Sequence, residues 1–217
     1  MRSLPRSLSM AVGAFALFAP AATPAQVLDR SVLPTTVGPT ARVRLSSRIE
    51  TYDVFGTTLD DLQRDLIVKR VQTSRGTLHA AKTSWDMRWR FARVRRAGIG
   101  CSPVGTEVIL KVVVTVPQWA DSARAETSDA LRAEWARFRS ALLVHEASHA
   151  DVTVAEANRL ADRLREPQAA TCWTLQSEMQ HMAQKSIRLI RERNDDYDQR
   201  TQHGRTEGAV LGPISSR

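Results

Sequence analysis

A single stripe of residues between Leu131 and Glu156 constrains this chain more than any other feature. Leu131, Trp135, Phe138, Leu142, His145, His149, Val152 and Glu156 follow one another at alternating steps of four and three. That spacing puts side chains along one face of an α-helix. The segment can therefore bury an apolar face at its start while carrying two imidazoles, one turn apart, further along the same face. Thr127, Ser128 or Asp129 can cap its start, and Pro167 stops it.

The two histidines belong to His145-Glu146-Ala147-Ser148-His149, an H-E-x-x-H pattern. Imidazoles four residues apart on a helix can meet one Zn²⁺, and the adjacent carboxylate can act as general base on a metal-bound water. A plain core helix offers the competing explanation, but two unliganded buried imidazoles would then need polar partners. The metzincin continuation needs glycine and histidine where Val152 and Ala155 stand, so that class is excluded.

Composition bounds the rest. A chain of 217 residues, 42% hydrophobic, holds one domain with a sizeable core. Arg2 and Arg6 precede an apolar run from Ser9 to Phe18, and small residues follow, so 1–25 reads as a secretory signal cleaved near Ala22 or Ala25. The run is shorter than the roughly 20 residues of a membrane span, and no later stretch qualifies. The protein is thus expected to be exported, to the periplasm or beyond, with no stable span in the mature chain. Cys101 and Cys172, the only cysteines, are expected to pair there. The formal charge of +8 is dispersed and accompanied by no nucleic-acid-binding motif, so it reads as a solvated basic surface.

Residues 26–42 read as a linker and 43–212 as the folded domain. Val43, Leu45, Ser47 and Ile49 alternate with polar neighbours as a strand does, and Leu59, Leu62 and Leu66 share a helix face after Thr57 or Thr58. Trp85, Met87, Trp89 and Phe91 alternate with charged residues, giving a half-buried strand. Ala97–Gly105 reads as a loop around Cys101. Thr106–Val116, apolar on both faces, reads as an interior strand ended by Pro117. A second helix begins near Thr174 and runs to Asn194–Asp198, and the tail after Gly204 is expected to be loose. The class is α+β, an antiparallel sheet packed on two helices.

A catalytic zinc site takes three protein ligands and leaves one position for water. Glu178, His181, Asp198 and His203 are the downstream candidates for the third. The H-E-x-x-H helix, the two cysteines and Tyr197-Asp198-x-x-Thr201-x-His203-Gly204 together resemble a bacterial family of unknown function predicted to be secreted zinc-dependent proteases. Tyr52-Asp53-Val54-x-Gly56-x-Thr58, Trp85 and Trp89 resemble its N-terminal half. The resemblance covers residues 43–212 and departs at Ser148, where the family has a glycine. It implies a zincin-like fold, one Zn²⁺ held by His145 and His149, Glu146 as base, His203 as third ligand, and Asp198 orienting a ligand or replacing His203. The expected activity is hydrolysis of a peptide or protein, with Tyr197 helping to stabilise the oxyanion. Two alternatives stand beside it: a metal-stabilised envelope binding module without turnover, and a zinc hydrolase of cell-wall amides.

Overall fold

A computed structural model describes residues 43–73, 76–98, 100–120, 124 and 127–212. The expected signal segment 1–25 and linker 26–42 lie outside the described residues.

Strand β1 (Val43–Val54) alternates as its sequence predicts, with Leu45 and Ile49 turned inward and Arg44, Arg48 and Glu50 outward. Helix α1 (Leu59–Val68) is capped by Thr58, whose hydroxyl accepts from Asp61 N, and it buries Leu62 and Leu66. A short antiparallel ribbon follows, β2 (Val71–Gln72) with β3 (Leu78–His79). Strand β4 (Lys82–Arg96) then turns back as β5 (Gly100–Trp119).

The sheet order is β1-β5-β4. β4 and β5 form the expected antiparallel hairpin, but β1 runs parallel to β5, so the sheet is mixed rather than antiparallel. Two connected strands must turn back on each other, whereas α1 and the ribbon give the chain room to bring β5 beside β1 in the same direction. β5 is the central strand. Val108, Leu110, Val112, Val114 and Val116 are fully buried towards the helices, while Ile109 and Val113 on the opposite face are only partly covered.

The hairpin is longer than the sequence suggests. The expected loop at 97–105 is largely strand, since β5 begins at Gly100 and passes through both of its prolines. β1 pairs with β5 only from Val108 onward and β4 only up to Thr115, so Pro103 and Pro117 each lie where one flank of β5 is open and no ladder N–H is needed.

Helix α2 (Asp129–Arg163) starts at Ser128, whose hydroxyl accepts from Leu131 N. It lies against β5, and α3 (Cys172–Thr201) packs alongside it. Trp119, Trp135 and Phe138 stack in sequence between sheet and helix, with ring centroids 5.6 Å apart in each pair. Cys101 is bonded to Cys172, and a backbone bridge from Cys101 to Ala169 lies beside the bond. Gly100 has φ +94°, and a Cβ there would strike the Ala169 carbonyl.

Residues 205–212 of the expected loose tail are held in place. A 3₁₀ turn, Arg205–Glu207, follows α3. Arg137 then donates to the carbonyls of Gly208 (2.8 Å) and Val210 (2.6 Å), Glu134 accepts from Gly212 N, and Gln63 donates to Leu211 O.

Burying the five inward residues of β5 contributes about 2 kcal/mol each, more in sum than the ~4 kcal/mol the cross-link offers in the chain-entropy model. A Cys101→Ser/Cys172→Ser variant is therefore expected to stay folded and to lose about 2–4 kcal/mol of unfolding free energy in urea titration. Complete unfolding of the variant in the absence of denaturant would contradict this.

Candidate metal centre

α2 presents His145 and His149 one turn apart, with 3% and 9% of their surfaces exposed. α3 lies across them and brings Asn194, Tyr197, Asp198 and Thr201 to the same place, since residues three or four apart share a helix face. Three atoms converge: His145 Nε2 and His149 Nε2 are 3.2 Å apart, and Asp198 Oδ1 lies 3.2 Å from the first and 3.1 Å from the second. These are the donor atoms among the described residues that are grouped to hold a metal ion.

The other imidazole nitrogens face oxygen atoms. His145 Nδ1 lies 2.9 Å from Glu207 Oε2, and His149 Nδ1 lies 2.9 Å from Asn194 Oδ1. Both partners are acceptors, so the Nδ1 atoms carry the protons and, in the neutral rings, each Nε2 presents a lone pair. Two lone pairs and a carboxylate oxygen then face one another with no proton between them. A cation resolves that conflict. Donors about 2.0 Å from a tetrahedral ion stand about 3.3 Å apart, which the observed triangle nearly matches. The residues therefore fit a divalent cation of the zinc class.

Without a cation, protons on the imidazoles take its place. Burial would depress both histidines, but hydrogen bonds with Asp198 outweigh it, helped by Glu207 at His145 and Asn194 at His149, and both pKa values are raised. Burial would raise Asp198, yet its bonds with the two imidazoles hold its carboxyl far below the ordinary range. Glu146 is 4% exposed, and burial pushes its pKa up. Thr83 Oγ1 on β4 lies 2.7 Å from Glu146 Oε2 and 2.9 Å from the Glu146 carbonyl oxygen, and donates to them.

Each member of the C-terminal motif has a physical task. The Tyr197 ring stacks on His145 and meets His149 edge-on, with centroids 5.0 Å away in both cases. Its hydroxyl donates to Glu207 (2.8 Å), and burial pushes its pKa up to about 12. Thr201 donates to Tyr197 O and accepts from Gly204 N, tying off the helix end. Gln202 and His203 then both adopt the left-handed region, at φ 51° and 55°, costing on the order of 1 kcal/mol each. At Gly204 (φ +78°) a Cβ would lie 2.9 Å from His145 Cγ, so only glycine lets the turn close on the ring.

Of the candidates for third donor, Asp198 joins the triangle. His203 does not; it is 57% exposed, with Nδ1 3.5 Å from Asp198 Oδ1. Glu178 and His181 lie elsewhere on α3, beside a surface hollow with Lys185 and Arg188. Thr83, Asn194, Glu207 and His79, whose ring packs on His203, escape sequence reasoning. Only Asn194 left a trace there, standing four residues before Asp198 as His145 stands before His149.

Fold and site together define an α+β chain with an H-E-x-x-H helix and a His-His-Asp donor cluster. The chain belongs to a bacterial family of proteins of unknown function, DUF922, whose model matches residues 49–204. No curated protein and no solved structure matches it.

Two outcomes follow from this geometry. A cation must displace protons from imidazoles whose pKa values lie above 6.5, so its affinity is expected to fall as pH drops, beginning above that value. Asp198 stays ionised throughout and adds nothing to the trend. Zinc titration by calorimetry is expected to show Kd rising at least about tenfold between pH 8 and pH 6; a flat profile would contradict the assignment. Gly204→Ala is expected to weaken zinc binding about 10–100-fold by displacing His145, read in the same assay.

Proposed function

We propose that this protein is an exported zinc-dependent metallopeptidase of zincin-like architecture. The observation that supports this reading is the convergence of His145 Nε2, His149 Nε2 and Asp198 Oδ1 beside the buried carboxylate of Glu146. Two imidazoles and one carboxylate form a donor set of the kind that catalytic zinc uses, leaving one position for water. Zinc bound there would supply a Lewis acid that brings a water pKa to about 7.

The protein groups do the rest. Glu146 takes a proton from the attacking water as its oxygen adds to the carbonyl carbon. The same proton passes to the leaving nitrogen when the C–N bond breaks, so one water is consumed and two products form. A carboxylate with a raised pKa suits both halves of that transfer. Thr83 holds Oε2, and we assign the moving proton to Oε1. Glu207, Asn194 and the Tyr197 ring keep the two imidazoles aimed.

β4 is an edge strand: β5 lies on one side of it, and no strand pairs with its other side among the described residues. An extended peptide added along that edge by backbone hydrogen bonds would pass the Glu146 carboxylate that Thr83 holds. Paired cysteines suit an oxidising compartment outside the cytoplasm. Among the described residues no helix is long and apolar enough to cross a membrane.

Glu146→Gln keeps the shape of the side chain and removes the base. It is expected to bind one zinc as the native protein does while hydrolysis of a peptide library falls at least about a hundredfold. Undiminished turnover by this variant would overturn the reading. Cleavage of purified peptidoglycan with casein left intact would redirect it to cell-wall amides.

A further inference from the structure

A hydrolytic site makes one further demand. The oxygen of an attacked carbonyl needs a hydrogen-bond donor as charge gathers on it, and the hydroxyl of Tyr197 is already bonded to Glu207. A different group stands free of that commitment. His203 Nδ1 lies 3.5 Å from Asp198 Oδ1, the atom where the donor triangle meets, yet His203 is outside the triangle. The backs of both ligand imidazoles are closed by Glu207, Asn194 and Tyr197. The His203 side chain itself is more than half exposed.

His203 is also held in place at a cost. It and Gln202 sit in left-handed backbone that side chains avoid. The turn is pinned by His203 N to Asp198 O (2.9 Å) and by Thr206 Oγ1 to Thr201 O. From the separate β2–β3 ribbon, His79 lays its ring 4.7 Å from that of His203, tilted by 46°. Costly backbone, a pinned turn and a second aromatic restraint are more than an exposed tail histidine requires.

We infer that His203 is the hydrogen-bond donor for a substrate oxygen at this site, a polarised carbonyl or an oxyanion, and that His79 is the positioning residue that aims it. An imidazole always carries at least one N–H to donate, so no change of charge is required. This inference rests on the proposed hydrolytic site, deepening it to the class of group recognised.

The test uses the full chain loaded with zinc and inorganic phosphate as the oxyanion probe, read by calorimetry, with zinc content measured on every variant. His203→Ala is expected to keep one zinc and to bind phosphate at least about tenfold more weakly. His203→Gln, which keeps an N–H donor, is expected to recover most of that loss. His79→Phe, which keeps the ring contact, should bind phosphate as the native protein does, and His79→Ala should not. On peptides, His203→Ala should lower kcat about a hundredfold with KM little changed. Loss of zinc from His203→Ala, unchanged phosphate affinity in it, or no phosphate binding by the native protein would each overturn the inference. His203-dependent phosphate binding without any peptide cleavage by the native protein would instead sink the hydrolytic reading and leave the donor standing. Cleavage that His203→Ala leaves intact would do the reverse.

Discussion

Three donor atoms that must share protons or a cation are the constraint around which the molecule is organised. Two imidazole lone pairs and a carboxylate oxygen within 3.2 Å of one another repel unless a positive charge sits among them. The convergence is set from behind, because Glu207 and Asn194 accept from the far nitrogens and turn each Nε2 inward. The rest of the chain keeps α2 and α3 where those atoms must meet. The sheet does so from one side, by burying the inward face of β5 against α2.

A second device sets the two helices in register. Glu156, two turns beyond His149, is 1% exposed and receives Arg163 at 2.6 Å, Arg193 at 3.1 Å and Arg159 at 3.3 Å, with Ser186 donating at 3.1 Å. Ser186 and Arg193 belong to α3, the other two arginines to α2. A buried carboxylate stripped of such partners typically costs 3–5 kcal/mol, so the helices resist sliding past this point. Arg193 stands next to Asn194, which links the register of the lock to the orientation of His149.

Much of this was legible in the chain, for identifiable reasons. The helix stripe from Leu131 to His149 and the Ser128 cap are local, and local spacing speaks directly of helix faces. The apolar run Val108–Val116, broken only by Lys111 and Thr115, marks a central strand whatever lies beside it. The direction of β1 was not legible, because alternation fixes which face a residue takes and says nothing about which way its neighbour runs. Spacing alone leaves the third donor open between Asp198 and His203, because the choice falls at a helix end. His203-Gly204 suggested a chain turning back toward the site, but α3 continues through Thr201 and keeps Asp198 in phase with Asn194. His203 falls beyond the left-handed Gln202 and is thrown to the rim. Thr83, His79 and Glu207 come from distant segments, and no periodicity connects them to His145.

The segment that follows α2 gives the site an order of assembly. Asp198 completes the donor triangle and Glu207 sets the tilt of His145, and both come later in the chain than the two histidines they hold. Until α3 docks, His145 and His149 sit on a helix with nothing to converge upon. A chain cut between α2 and Asp198 therefore lacks a formed trap for metal, and any chemistry the site performs awaits the docking of α3.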